Sequence, residues 1–287
     1  MRTISTRPII NPSIGQARKC NDAATHASQR LSSLGSTKQS ECENGETKRT
    51  CSDHGERRCV GARIVALQQD LLAKNQLFAE RNRGWFEGRG VVAVNLMGAP
   101  GAGKTTILER TIREWRNAPI SVLEGDQATS ADADRIRAAG AVAVQINTGT
   151  GCHLDAHMVA HGLERLRPPP GSILLIENVG NLVCPALFDL GEQARVVVVS
   201  VAEGDDKPAK YPHMFRACDL LLVNKVDLLP HVRFDQQRCA ALAREVNPRV
   251  AVLTIGAERG EHMQQWYDWL ERRRAKLTDS ASLCAKG

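Results

Sequence analysis

Apolar residues fall in short, nearly continuous runs, each followed by a polar or glycine-rich loop and then by residues of helical period. Val91 to Met97, Ile173 to Ile176, Arg195 to Val201 and Leu220 to Val223 are the densest runs, the pattern of strands buried on both faces of a parallel sheet. Ile120 to Glu124, Ala141 to Ile146 and Val250 to Ile255 read as further strands. Between them lie helical stretches: one opening at Thr106, one over Ala131 to Ala139 closed by Gly140, and one over Leu154 to Leu166 stopped by Pro168-Pro169-Pro170-Gly171. A helix from about Asp235 to Val246 and a closing helix through Trp266 and Leu270 complete the series. Strands alternating with helices predict an α/β domain over 90–275: a doubly wound, mostly parallel sheet with helices on both faces.

The flanks read differently. Ile64, Leu67, Leu71, Leu72, Leu77 and Phe78 recur near helical spacing, so 61–89 is expected to hold an amphipathic lead-in helix ending near Gly84. Residues 1–60 show no sustained period and are expected to be a disordered polar tail, and 276–287 a flexible C-terminus. The first twenty residues carry Arg and Ser without an acid, as transit peptides do, but lack an amphipathic pattern and read as solvated tail.

Composition narrows the functional classes. A net charge of +6 without a dense Lys/Arg block, and 4% aromatic residues, speak against a nucleic-acid binder. No apolar run is long enough to span a bilayer, so no membrane insertion is expected. Nine scattered cysteines do not suit a disulfide scaffold, and a cytoplasmic setting with reduced thiols, some of them metal ligands, is expected.

The chemistry starts at Gly98-Ala-Pro100-Gly101-Ala-Gly103-Lys104-Thr105, which fits the P-loop pattern between a predicted strand and a predicted helix. Its glycines let backbone N–H groups converge on phosphate oxygens at the positive end of the helix. Lys104 is expected to reach the β/γ-phosphates, Thr105 to hold Mg²⁺, and Thr106 to continue the cradle. After the sixth predicted strand comes Asn224-Lys225-Val226-Asp227. A carboxylate there accepts both donors of the guanine N1–H and 2-amino edge, which adenine lacks, so GTP is the expected nucleotide. Asn224 can brace the loop and the Lys225 stem can lie along the base.

Three loops at predicted strand ends complete the candidate site. Asp126 in Glu124-Gly125-Asp126 is a candidate Mg²⁺ or water ligand, and Glu177 can hold Mg²⁺ or place the attacking water. Gly180 can donate its N–H to the γ-phosphate. Cys152 and His153, with Cys184 in the loop beyond Glu177, offer thiolate and imidazole suited to Zn²⁺ or Ni²⁺, although such a pair is also compatible with packing alone.

GAPGAGKTT, EGDQ, NTGTGCHLDAH, ENVGNLVCPALFDLGE, EGDDKPAKYPHMFR and NKVDLLP occur in one order, and over about Gly61 to Leu270 the chain resembles the hydrogenase nickel-incorporation GTPase family, HypB. The resemblance implies a homodimeric GTPase that loads nickel into the [NiFe] hydrogenase large subunit precursor with a HypA-type partner. It implies that Cys152, His153 and Cys184 bind Zn²⁺ or Ni²⁺ near the dimer interface. It also assigns Lys104, Thr105, Asp126 and Glu177 to phosphate and Mg²⁺, and Asn224, Lys225 and Asp227 to guanine. Three features depart from the family. The chain has neither a CxxCxC start nor a His-rich tail; Gly256-Ala257-Glu258-Arg259-Gly260-Glu261-His262 replaces the usual last base loop; and Ala128-Thr129-Ser130-Ala131 replaces a more polar run. No arginine stands out as a finger, so slow intrinsic hydrolysis is expected. A urease-type nickel accessory GTPase and a metal-binding scaffold with a vestigial nucleotide site are the competing readings.

Overall fold

The computed structural model describes residues 53–126, 131–149 and 151–284. Of the tail expected over 1–60, residues 1–52 lie outside the described residues, as do positions 128–130 of the altered run 128–131.

The chain runs α1 (Asp53–Arg89), β1 (Val92–Gly98), α2 (Lys104–Glu114), β2 (Ile120–Asp126), α3 (Ala131–Ala139), β3 (Val142–Asn147), α4 (Ala156–Leu166) and β4 (Ile173–Glu177). It continues through a 3-10 turn (Cys184–Leu187), β5 (Ala194–Ser200), the short helices α5 (Lys207–Lys210) and α6 (Pro212–Arg216), and β6 (Leu220–Asn224). A second 3-10 turn (Val226–His231), α7 (Gln236–Val246), β7 (Ala251–Thr254) and α8 (Met263–Cys284) follow. The seven strands pair in the order β3-β2-β4-β1-β5-β6-β7, every pair parallel.

Alternate strand residues face opposite sides of the sheet, and helices cover both. Val92, Val94 and Leu96 pack with Ile107, Leu108, Ile136, Trp266 and Leu270 from α2, α3 and α8. Ala93, Leu174 and Ile176 meet Phe86, Val159 and Leu163 from α1 and α4. Met97, Val197, Leu221 and Val223 meet Met214, Phe215 and Cys239 from α6 and α7. Burial on both sides explains the unbroken apolar runs.

Two boundaries correct the sequence reading. α1 passes through Gly84 and Gly88 to Arg89, and begins at Asp53, inside the stretch expected to be tail. Each glycine costs about 1 kcal/mol in a helix, but docking offsets this: Phe86 is fully buried in the core. Asn82, 2% exposed, donates to Ala156 O at 2.8 Å and Leu190 O at 3.0 Å. Asn75 bridges Asp189 O at 2.7 Å and the Ala156 N–H at 2.8 Å. At the other end, α8 continues past 276 to Cys284; no Gly or Pro interrupts it, and Leu277 packs on the core.

Because all strands are parallel, the loops after β1, β2, β4 and β6 share one edge of the sheet. β1 sits between β4 and β5, where the winding direction reverses and a crevice opens.

The docking of α1 gives a direct check. We expect Asn82→Ala to cost about 1–3 kcal/mol, because two buried carbonyls lose their donor. Urea unfolding should show this as a lower midpoint; an unchanged midpoint would make α1 an appendage of the domain.

Candidate functional site

Pro100, Gly101, Gly103, Lys104, Thr105, Thr106, Asp126, Glu177, Gly180 and Lys225 line one cleft of about 570 Å³. The loop after β1 is shaped by its glycines. Gly101 and Gly103 adopt φ of 75° and 96°, and a Cβ on Gly103 would collide with the Asn224 amide. Gly180 lies against Pro100, where a Cβ would stand 2.9 Å from the backbone nitrogen. Gly98, at the end of β1, has no room for a Cβ beside Val198 O.

Lys104 opens α2 and turns back over the loop, its Nζ donating to Gly98 O at 3.3 Å and Ala99 O at 3.2 Å. Burial holds its pKa below the ordinary lysine value, while Glu177 acts in the opposite sense. Thr105 Oγ1 donates to Glu177 Oε1 at 2.8 Å, and the second oxygen of Glu177 is buried without a hydrogen-bond partner. Glu177 ends β4 in register with Glu124 of β2, whose Oε2 is also buried and unpartnered. Burial, reinforced by Glu177 and Asp126, pushes Glu124 up to about 8; burial, opposed by Lys104 and Thr105, pushes Glu177 up to about 7. With the Thr105 hydroxyl and Asp126 on the same wall, these orphaned carboxylate oxygens form a hard donor set that fits Mg²⁺.

The guanine motif brackets the far end. Asn224, 1% exposed, donates to Ala102 O at 3.0 Å and accepts from Ala257 N at 3.1 Å, tying the P-loop to the last loop. Lys225, at φ 64°, donates to Gly101 O at 2.7 Å. Asp227 Oδ1 is buried with no hydrogen-bond partner, an acceptor fitted to a donor pair from a base. The divergent loop Gly256 to His262 closes as a tight turn: Gly256 N donates to Glu261 O at 2.9 Å and Gly260 N to Gly256 O at 2.8 Å. Arg110 of α2 holds it from outside, its Nε on Ala257 O and its Nη2 on Glu258 O at 2.7 Å.

Sequence reasoning missed Arg110, which only the fold brings to that loop, and Glu124, Asp132, Arg135 and Glu258 in the cleft wall. Glu124 carried a signal, standing two residues before Asp126 on one strand face. Arg135 is an arginine on the cleft wall, engaged with Glu109 through a fork of 3.1 and 3.0 Å and with Asp132 at 3.0 Å.

Cys152, His153 and Cys184 come together as well, their donor atoms all within 4.8 Å of one another. Cys152 Sγ is 3.7 Å from His153 Nδ1, and the His153 ring stacks on Phe188 at 4.0 Å between centroids. Burial lowers the His153 pKa, favouring the neutral imidazole that ligates metals, although Asp155 acts against it. The neighbouring Cys152 raises the Cys184 pKa, as two thiols at one point must unless a cation joins them. Two sulfurs and one nitrogen make three of the four ligands of a tetrahedral Zn²⁺ site.

The loop after β4 touches both centres. Asn181 N donates to Gly98 O at 3.1 Å, while its Nδ2 reaches Cys152 O at 3.4 Å and its Oδ1 accepts from Val183 N at 2.8 Å. Asn178 Oδ1 accepts from Leu154 N and Val179 N, each at 3.0 Å.

Comparison with known proteins places this geometry. Residues 92–254 match the family model described as CobW/HypB/UreG, nucleotide-binding domain. The hydrogenase maturation factor HypB of Rhizobium leguminosarum bv. viciae is 58% identical over 210 residues, covering 73% of this chain and 70% of that protein. The Escherichia coli K12 factor of the same name is 54% identical over 213 residues, covering 74% and 73%. Among solved structures, the HypB of Helicobacter pylori in complex with nickel superposes with a TM-score of 0.68 at 32% identity, covering 71% of this chain and 96% of that one. The HypB of Archaeoglobus fulgidus gives 0.66 at 45%, covering 71% and 100%.

Two outcomes are expected. Unfolded carboxyls release protons near 4.5, whereas Glu177 and Glu124 hold theirs to about 7 and about 8 when folded. The nucleotide-free folded state therefore binds more protons across this window, and its stability should fall as pH rises through it. Urea unfolding at pH 6 and pH 8 reads the trend, which Glu124→Gln should flatten. Separately, Arg110→Ala should weaken GDP binding by about tenfold through the loosened base loop, measured by calorimetry; an unaltered affinity would mean the turn holds itself.

Proposed function

Because the chain belongs to the CobW/HypB/UreG nucleotide-binding family, and within it to the HypB hydrogenase maturation factors, we propose that it is a GTP-hydrolysing metallochaperone that holds nickel and passes it on during [NiFe] hydrogenase maturation. The observation that carries the coupling is the β4 loop, bonded at Asn181 to the P-loop carbonyl of Gly98 and to the carbonyl of Cys152.

Lys104, Thr105, Thr106 and the N–H groups from Gly101 to Gly103 cradle the phosphates, with Lys104 exchanging its carbonyl contacts for phosphate oxygens. Thr105, Asp126 and Glu177 would hold Mg²⁺, which would supply positive charge against the phosphate oxygens. Asp126 and Glu177 also orient the attacking water, and Gly180 N–H meets the γ-phosphate. Asn224 and Lys225 fix the loops around the base while Asp227 reads its donor edge. Intrinsic hydrolysis is slow in this reading, because Arg135 is committed to Glu109 and Asp132 rather than free to meet the phosphate.

Cys152, His153 and Cys184 hold the nickel, with Zn²⁺ as the competing ion. Exposed Val183 (54%) and Leu187 (56%) flank Cys184, an apolar rim that suits a second copy of the chain closing over the site. A HypA-type partner and the hydrogenase large subunit precursor are the proposed source and destination of the ion.

Cys152→Ala or Cys184→Ala should reduce Ni²⁺ and Zn²⁺ binding sharply in equilibrium dialysis while GTP still binds. In the unsubstituted protein, Ni²⁺ affinity should differ between the GDP-bound and GTP-analogue-bound states. Asn181→Ala should shrink that difference with both sites intact. Equal affinities in the two nucleotide states would remove the timing role and leave a GTPase with an unconnected metal site.

A further inference from the structure

One face of the His153 imidazole is covered. The Phe188 ring stacks on it at 4.0 Å between centroids and 29° between planes, while His153 Nδ1 stands 3.7 Å from Cys152 Sγ. A histidine ligand offers a lone pair that lies in the ring plane, so whatever fixes the plane fixes where an ion can sit. With Nδ1 as the ligand, sulfur at about 2.3 Å and nitrogen at about 2.0 Å from one tetrahedral ion lie roughly 3.5 Å apart. Adjacent corners of a square-planar or tetragonal ion would bring the same two atoms to roughly 3.0 Å. The observed spacing is close to the tetrahedral edge and well beyond the other.

Phe188 is itself held in place. It closes the 3-10 turn that begins with Cys184. The next residue, Asp189, is anchored to α1: its carbonyl accepts from Asn75 Nδ2 at 2.7 Å and its carboxylate from Arg83 Nη2 at 2.8 Å. The same Asn75 carboxamide accepts from Ala156 N at 2.8 Å, on the segment that carries His153. One buried side chain thus spans both ring-bearing segments, and the rings cannot drift apart without breaking a buried hydrogen bond. Binding a dication makes the imidazole more positive, which strengthens its attraction to an aromatic face.

We propose that Phe188 is a positioning residue that sets the choice between Zn²⁺ and Ni²⁺ at Cys152, His153 and Cys184. The stack keeps His153 Nδ1 at a tetrahedral distance from Cys152 Sγ, which suits Zn²⁺. Ni²⁺ favours ligands at right angles and has to draw the ring out of the stack toward the sulfur. An ion held against the preference of its frame is easier to pass on, as delivery requires. This role rests on the reading of those three residues as metal ligands.

The test compares the full chain with Phe188→Leu, which keeps apolar bulk without a flat face, and with Phe188→Tyr, which keeps the face. In competition against a chromophoric chelator, Phe188→Leu should lose about tenfold in Zn²⁺ affinity and less than about threefold in Ni²⁺ affinity, with Phe188→Tyr close to the unsubstituted protein. Co²⁺ reads the geometry, because tetrahedral cobalt absorbs visible light far more strongly than six-coordinate cobalt. Phe188→Leu should lose that intensity and Phe188→Tyr should keep it, at equal GDP affinity in all three proteins. An unaltered Zn²⁺-to-Ni²⁺ ratio or an unaltered cobalt spectrum in Phe188→Leu would overturn the proposal. In the unsubstituted protein, Zn²⁺ should shift the ring proton signals of His153 and Phe188 in one titration; a Phe188 ring indifferent to Zn²⁺ would overturn it whether or not the leucine variant folds. Absence of any cobalt–thiolate absorption from the unsubstituted protein would instead remove the metal site itself, and this role with it.

Discussion

The hydrogen bond from Asn181 N to Gly98 O, 3.1 Å long, pins the loop after β4 to the last residue of β1. The site depends on that contact. It sets Gly180 against Pro100, so that the loop closes on the phosphate cradle, and it leaves the Asn181 side chain to reach Cys152 O and Val183 N. Three loops from three strands are thereby held as one body. A shift of the β4 loop toward a γ-phosphate would move the Asn181 and Asn178 side chains bonded to the Cys152 and Leu154 backbone, and Cys184 beyond them, and would change the distances among the candidate metal ligands.

The same edge of the sheet concentrates unpaired charge. Glu124 and Glu177 stand side by side in register, each with one buried oxygen unsatisfied, and Lys104 spends its ammonium on loop carbonyls. Such an arrangement costs stability in the empty protein, because burial disfavours each ionised form. Adding a dication and a polyanion supplies the missing partners, so ligand binding and domain stability are linked. Asp227 repeats this logic at the base end with a buried acceptor awaiting a donor.

One departure from the family pattern has a local structural answer. The loop from Gly256 to His262 departs from the family's usual sequence, but Arg110 holds two of its carbonyls and Asn224 one of its N–H groups. Its shape is thus held through its backbone, supported from α2. The lead-in helix α1 belongs to the domain's architecture through Asn75, Asn82 and Phe86, which meet α4 and the segment before β5.

Much of this was legible in the chain itself, because the signals are local. Runs buried on both faces announced a parallel sheet, and Gly98 to Thr105 and Asn224 to Asp227 carry their chemistry in contiguous residues. Strand ends marked Asp126 and Glu177, and the quoted motifs pointed to the family. Where the signal was a boundary it failed: Gly84 reads as a helix stop, yet α1 continues because tertiary packing outweighs a propensity near 1 kcal/mol. What only the tertiary structure decided are relations between residues far apart in sequence. Arg110 meets Ala257 across 147 positions, Asn181 joins Gly98 to Cys152, and Glu124 stands beside Glu177 because β2 and β4 became neighbours. Local composition determines which element forms, whereas contacts between elements, and the chemistry they permit, follow from the order in which the strands pack.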